Sequence, residues 1–210
     1  MRLRRLLVTA LSSLFLMGVI HPAAAAGVDP SVIRESLGGT WTREGQHRSF
    51  YAFRGATRPP GCAPGRYTQP RRGRAFSYSG PYQRRWARLA TVHVLTYRSH
   101  AASRKGLAQL KKFLRDCSGP VTDGCTGCDP PDEYHRILRG AGIGRGSFGW
   151  WTGSLGNVTA YSTSVAFSKA KELVVVDYML MLRRYRPLDR SFIVNVPKVK
   201  NLARAVRQSR

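Results

Sequence analysis

Acidic residues are what this chain has least of: 11 Asp and Glu stand against 35 Lys and Arg. A glycoside hydrolase needs two carboxylates flanking the scissile bond. The acids here, among them Asp116, Asp123, Asp129, Asp132 and Glu133, fall mostly in the loops around the cysteines, and none forms a pair that argues for that chemistry. No serine occupies the Gly-x-Ser-x-Gly turn that exposes a hydrolase nucleophile. Histidine is scarce too. Past the first 26 residues there are only His47, His93, His100 and His135, and His93 alternates within an apolar run, where a hydrogen-bonded strand histidine is expected. Cysteine numbers four, and Cys125-Thr126-Gly127-Cys128 has no second ligand pair at zinc spacing. Gly144-Arg145-Gly146-Ser147-Phe148-Gly149 fits the dinucleotide pattern in letters only, because Trp150-Trp151-Thr152-Gly153 reads as strand and turn where a helix is required. There is no internal repeat and no dedicated nucleic-acid motif, and no cofactor is implied.

Long apolar runs are absent after the first twenty residues. Leu173 to Leu182 is short and interrupted by Asp177. The run that does exist, Leu6 to Ile20, follows Met1-Arg2-Leu3-Arg4-Arg5 and precedes Ala23-Ala24-Ala25-Ala26. A basic start, an apolar core shorter than the ~20 residues of a bilayer span and small residues before a cut make a secretory signal peptide. We therefore expect residues 1–26 to be removed and residues 27–210 to form one secreted or envelope domain that is not an integral membrane protein.

What is abundant is positive charge. The formal net charge is +24, and losing Arg2, Arg4 and Arg5 leaves 32 cations against 11 acids, or +21. Such an excess attracts polyanions in a salt-sensitive way. Outside a cell these are anionic wall polymers, lipid head groups or released nucleic acid. The alternative is a basic surface that serves solubility alone, in a chain that writes Arg for Lys.

Behind a signal peptide, Cys62, Cys117, Cys125 and Cys128 are expected to pair. Three connectivities exist, and Cys62–Cys117 with Cys125–Cys128 is the one favoured here. The longer bridge would stabilise the fold by about 4 kcal/mol in the chain-entropy view. A redox role for the CxxC is disfavoured by Asp123 and Asp129 beside it and by Pro130-Pro131 after it, since negative neighbours raise a thiol pKa.

Local patterns predict helices over 30–37 (Asp29 capping, Pro30 first, Gly38-Gly39 ending it), 100–116 (Ser99 capping) and 197–208 (Asn195 capping). In the second, Leu107, Leu110, Leu114 and Cys117 form one stripe and Lys105, Lys111, Lys112 and Arg115 lie off it, as in a surface helix packed on a sheet. A further short helix is expected over 132–139. Strands are expected over 89–97, from about Phe148, over 158–167 and over 171–182, with a tight turn at Ser168-Lys169-Ala170. Residues 54–86, rich in Gly, Pro and Arg, read as a long loop with short strands at most. The fold class is α+β, a single antiparallel-sheet domain packed with helices and holding two disulfides.

One stretch has the composition of a binding surface. Between Arg66 and Arg88, arginines alternate with Tyr67, Phe76, Tyr78, Tyr82 and Trp86. Guanidinium groups make bidentate contacts to phosphate or carboxylate, and aromatic rings offer stacking faces. Arg71, Arg72, Arg74, Arg84, Arg85 and Trp86 are the candidate ligand contacts. The competing reading is a solvated basic loop whose aromatics anchor it to the core.

From Trp86 onward the chain resembles the PknH-like extracellular sensor domain of actinobacterial proteins. The resemblance rests on Val92-His93-Val94-Leu95-Thr96-Tyr97-Arg98-Ser99, then Ala101-Ala102, Leu107, Leu110 and Cys117, with Ile143-Gly144, Leu173 to Val176 and Asn201 to Arg207 as looser blocks. It implies an α+β domain with two disulfides and a cleft, used to sense a ligand that the resemblance does not identify. Arg145 replaces the family's acid after Ile-Gly, and Ala170-Lys171-Glu172 replaces its Arg-Gly-Asn. No kinase region is present, so the chain is not expected to signal alone. The expected function is a secreted, non-enzymatic sensor-like domain contacting an anionic envelope polymer or lipid head groups. Two alternatives remain: an envelope hydrolase, and a protein docking on an envelope protein partner through an apolar patch near Trp150 and Trp151.

Overall fold

The computed structural model describes residues 28–38, 40–48, 68–81, 86–116, 119–121, 133–155, 159–182 and 195–209. The expected signal peptide, all four cysteines and so the two bridges expected of them, and Arg84 and Arg85 lie outside these residues.

Eight strands build one sheet in the order β1-β2-β3-β8-β7-β6-β5-β4, every neighbour antiparallel. It consists of two meanders joined along one seam. The first is β1 (Thr42–Arg48), β2 (Arg72–Ser79) and β3 (Trp86–Thr96). The second is β4 (Gly119–Val121), β5 (Glu133–Leu138), β6 (Ser147–Leu155), β7 (Thr159–Lys169) and β8 (Glu172–Leu182). The seam is β3 against β8, in register from Trp86↔Leu182 to Thr96↔Glu172. Helix α1 (Pro30–Leu37) precedes the first meander, α2 (His100–Asp116) links the two, and α3 (Val196–Gln208) follows the second.

The helices cover opposite faces of the sheet. Alternation along Leu173-Val174-Val175-Val176 sends Val174 and Val176 to one face, with Val92, Val94 and Phe167, where they meet Ile33 of α1 and Val199, Leu202 and Val206 of α3. It sends Leu173 and Val175 to the other face, with Leu95, Phe148, Trp150 and Ala166, beneath Leu107, Leu110 and Leu114 of α2. A strand buried on both faces must be apolar at successive positions, which is why this run does not alternate in polarity.

The caps are those the sequence predicts. Ser31 N donates to Asp29 Oδ1 (2.8 Å), Ala102 N to Ser99 Oγ (3.1 Å) and Lys198 N to Asn195 Oδ1 (3.1 Å). Ser103, fully buried, fixes the start of α2 to the β7–β8 turn, its hydroxyl lying 2.7 Å from Ser168 Oγ and 2.9 Å from the Ala170 carbonyl. Further along α2, Gly106 lets the helix close on Tyr97: a Cβ there would stand 2.6 Å from the Tyr97 hydroxyl.

Some expectations need correction. Residues 133–138 are strand β5, not helix. Ile137 packs with the α2-side core and Leu138 with the opposite one, a two-residue period that only a strand provides. The arginine-rich segment read as a loop holds β2, eight residues long with Ala75, Phe76 and Tyr78 buried. Strand β1 is absent from the expected elements, because Thr-Arg-Glu-Gly-Gln-His-Arg has no apolar position. Trp150 and Trp151 are each 2 % exposed and point to opposite cores, so they offer no docking patch. The β7–β8 turn falls at Ala170-Lys171, one residue later than expected, with Ala170 at φ 49°.

Candidate functional site

Antiparallel register collects cations at one end of the sheet. Arg72 lies opposite Thr96, and Thr96 opposite Glu172. Arg71 N donates to the Thr96 carbonyl (2.7 Å), and Tyr97 N to the Lys171 carbonyl (2.8 Å). The start of β2, the end of β3 and the β7–β8 turn therefore bring Arg71, Arg72, Arg74, Arg98, Lys169 and Lys171 together. Arg71, Arg72, Arg98 and Lys171 are exposed, and no acid pairs with them among the described residues. Arg74 reaches Glu172 at 4.0 Å, and burial lifts the Glu172 carboxyl above its ordinary pKa despite Arg74 and Lys169 nearby.

Arg71, Arg72 and Arg74 thus sit together, as their sequence proximity implies. Trp86 does not join them. It begins β3 opposite Leu182, about 30 Å along the strand from the Thr96 end at the usual rise per residue. Arg98 and Lys171 join the basic end although they are remote in sequence, and only strand pairing could have revealed them. The aromatic side of the candidate surface is also altered. Phe76 (2 % exposed) and Tyr78 (0 %) are core residues, so their faces are not free to stack on a ligand. Arg43 and Arg74 instead cap Phe76 at 5.8 and 5.6 Å from its centroid, and Tyr78 donates to the Pro30 carbonyl at 3.0 Å.

A second polar feature crosses the middle of the α2-side face. Register places Ser77, Thr91, Asp177 and Ser164 in one lateral row over β2, β3, β8 and β7. His93, one row nearer α2, reaches Asp177 Oδ2 through Nε2 at 3.2 Å, so the strand histidine is satisfied, as its alternation suggests. Both are about nine-tenths buried. Asp177 Oδ1 is buried too and has no hydrogen-bond partner. At the β5 end of the face His135 Nδ1 lies 3.0 Å from Thr152 Oγ1, and burial pushes its imidazole down to a pKa of about 4. No group of three or more metal-ligating side chains occurs among the described residues. The glycines 144 to 149 form a turn running into β6, with Ser147 Oγ accepting from Ile143 N (2.8 Å), and not a phosphate-cradling loop before a helix.

The architecture these features share is that of an α+β domain with one antiparallel sheet between helices. It is similar to the crystal structure of the extracellular domain of PknH from Mycobacterium tuberculosis, with a TM-score of 0.53 over 87 % of this chain and 91 % of that one. Identity is 12 %, so the likeness is one of fold. No family model matches the sequence, and no curated protein does either. Among the described residues no helix is long and apolar enough to cross a membrane.

Proposed function

We propose that this chain is an extracellular, non-enzymatic sensing domain that contacts an anionic envelope component through the basic end of its sheet. The observation that carries this reading is the set of exposed cations Arg71, Arg72, Arg98 and Lys171 on three adjacent strand ends, none of them ion-paired among the described residues. The fold shared with the extracellular domain of PknH supports the sensing role. Backbone pairing holds the stems of these four residues at neighbouring strand ends, so their cations form one cluster. A polymer with repeated phosphate or carboxylate groups meets several of them at once, and the attraction weakens as salt screens it.

The test is co-sedimentation of the protein with fractionated envelope material at low and moderate salt, beside an uncharged polysaccharide. Retention should be confined to anionic fractions and fall with salt. Arg71→Glu with Arg72→Glu should cut it by about tenfold, the effect of losing about 1.4 kcal/mol of attraction. Retention that ignores both salt and the double reversal would refute the reading.

A further inference from the structure

Helix α2 has two unlike sides. Ser103, Gly106, Leu107, Leu110 and Leu114 are buried where it packs on β5, β7 and β8. On the other side Arg104, Lys105, Lys111, Lys112 and Arg115, with Ala101 and Ala108 between them, recur at three- and four-residue spacing, and all of these are exposed. They make one outer face of cations and alanines along the ~25 Å of the helix. Its acid, Asp116, stands at the far end and is taken up by Lys112 and Arg115. Lys111 reaches back over the Phe148 ring at 5.9 Å, while Arg104 and Lys105 have no ion pair among the described residues.

The helices on the opposite face of the sheet differ. In α1, Glu35 stands beside Arg34, and Asp29 caps the start. Helix α3 carries Lys198, Lys200, Arg204 and Arg207, but three of these turn back to the chain. Lys198 Nζ lies over Trp41 and Tyr178, 5.2 and 5.7 Å from their centroids. Lys200 Nζ donates to the Gly140 carbonyl (2.8 Å), and Arg204 to Asn201 Oδ1 (3.0 Å). Outward positive charge is therefore concentrated on α2.

We infer that the outer face of α2 is a docking surface for an anionic lipid bilayer, separate from the basic end of the sheet and not dependent on it. Charge complementarity selects an anionic partner. Shape and composition then select a plane over a strand. A linear polyanion is tracked by a charged groove with aromatic faces to stack on, whereas the outer side of α2 is a convex ridge with no exposed aromatic. A plane of head groups meets all five cations at once. The helix goes no deeper than those head groups. An amphipathic helix enters a bilayer by burying its apolar side there, and the apolar side of α2 is already sealed against the sheet by Leu107, Leu110 and Leu114. The contact is electrostatic alone.

The test is co-sedimentation with vesicles of equal parts phosphatidylglycerol and phosphatidylcholine, beside vesicles of phosphatidylcholine alone. Binding should need the anionic lipid and be released completely by high salt. Each Lys or Arg held near an anionic surface contributes about fivefold in binding, so Arg104→Glu with Lys111→Glu should weaken it by about 25-fold. Arg204→Glu with Arg207→Glu makes the same change in net charge on the opposite face, and should weaken it by no more than about threefold. All four residues are exposed, so both variants should fold, which urea unfolding checks. Equal losses from the two pairs would show attraction by net charge alone and overturn the inference, as would binding that persists in high salt or no binding at all. Inorganic polyphosphate is the polymer probe: if the α2 pair abolishes its binding and leaves vesicle binding unchanged, the face belongs to a polymer and the inference falls. Retention on lipid-free envelope fractions that ignores Arg71→Glu with Arg72→Glu would remove the basic-end reading and leave this one standing.

Discussion

Removing the Tyr97 hydroxyl should make this protein more stable, the opposite of what deleting a buried polar group usually does. Tyr97 is 1 % exposed in the core beneath α2, and its hydroxyl is buried without a hydrogen-bond partner. An unmet buried hydroxyl costs about 1–3 kcal/mol of desolvation. Phenylalanine removes that cost and forfeits only the dispersion contacts of one oxygen, each worth about 0.1–0.2 kcal/mol. Tyr97→Phe should then gain about 1 kcal/mol, or about 2–4 °C in Tm for a chain of this size. Urea unfolding followed by tryptophan emission measures it. The pH dependence supplies a second signature. Burial pushes the Tyr97 phenol up from 10.0 to about 12, so the folded state holds its proton longer than the unfolded state does. Its contribution is fully present below pH 10 and is lost as pH rises through 12. The gain from Tyr97→Phe should be constant near neutrality and grow in strong base. Gly106→Ala adds a cycle. Its Cβ would meet the Tyr97 hydroxyl at 2.6 Å and Cζ at 2.7 Å, an overpacking cost of about 1–3 kcal/mol that exceeds the ~1 kcal/mol of added helix propensity. Part of that cost should vanish when Gly106→Ala is combined with Tyr97→Phe. A loss of about 1 kcal/mol or more from Tyr97→Phe would mean the hydroxyl has a partner and would refute the reasoning.

Gly149 tolerates no side chain: a Cβ would stand 2.5 Å from Ala141 Cβ and 3.0 Å from the Ser164 carbonyl. Gly149→Ala should cost about 3 kcal/mol in urea unfolding, and a cost under ~1 kcal/mol would show that the turn around Ala141 yields freely. His135 should make the fold acid-sensitive. Its native pKa of about 4 lies below the unfolded 6.5, so protons favour the unfolded chain and stability falls as pH drops through that window. His135→Gln should flatten that slope, and an unchanged slope would assign it to other groups. Glu172 works in the opposite sense, because its raised native pKa favours the folded state as it protonates.

The parts of this fold legible in the sequence are those governed by neighbours along the chain. Helices α1, α2 and α3 announce themselves through Asp29, Ser99 and Asn195 and through stripes such as Leu107, Leu110 and Leu114. Strands β3, β7 and β8 do so through β-branched runs. Strand β1 has no apolar residue and exists because β2 offers it a ladder. β5 reads locally as helix and is a strand because β6 pairs with it. The candidate sites divide in the same way. Arg71, Arg72 and Arg74 are close in sequence and legible there as a group, while Arg98 and Lys171 reach them only through the ladders. Asp177, seen in the sequence as a break in an apolar run, gains its meaning from His93 across the seam.

That seam also governs how the chain must fold. Thr96 and Glu172 are 76 residues apart, and Trp86 and Leu182 are 96. Every other strand pairing is between consecutive strands. Within each meander a strand pairs with its neighbours in the chain, whereas joining the two must close a loop through α2 and four strands before any β3–β8 contact rewards it. Topology therefore predicts that this last step is the slowest. Until it is taken, Val92, Val94, Val174 and Val176 sit on two bare strand edges, so the interval between making two half-sheets and sealing them is when this protein is most exposed to pairing with the wrong partner.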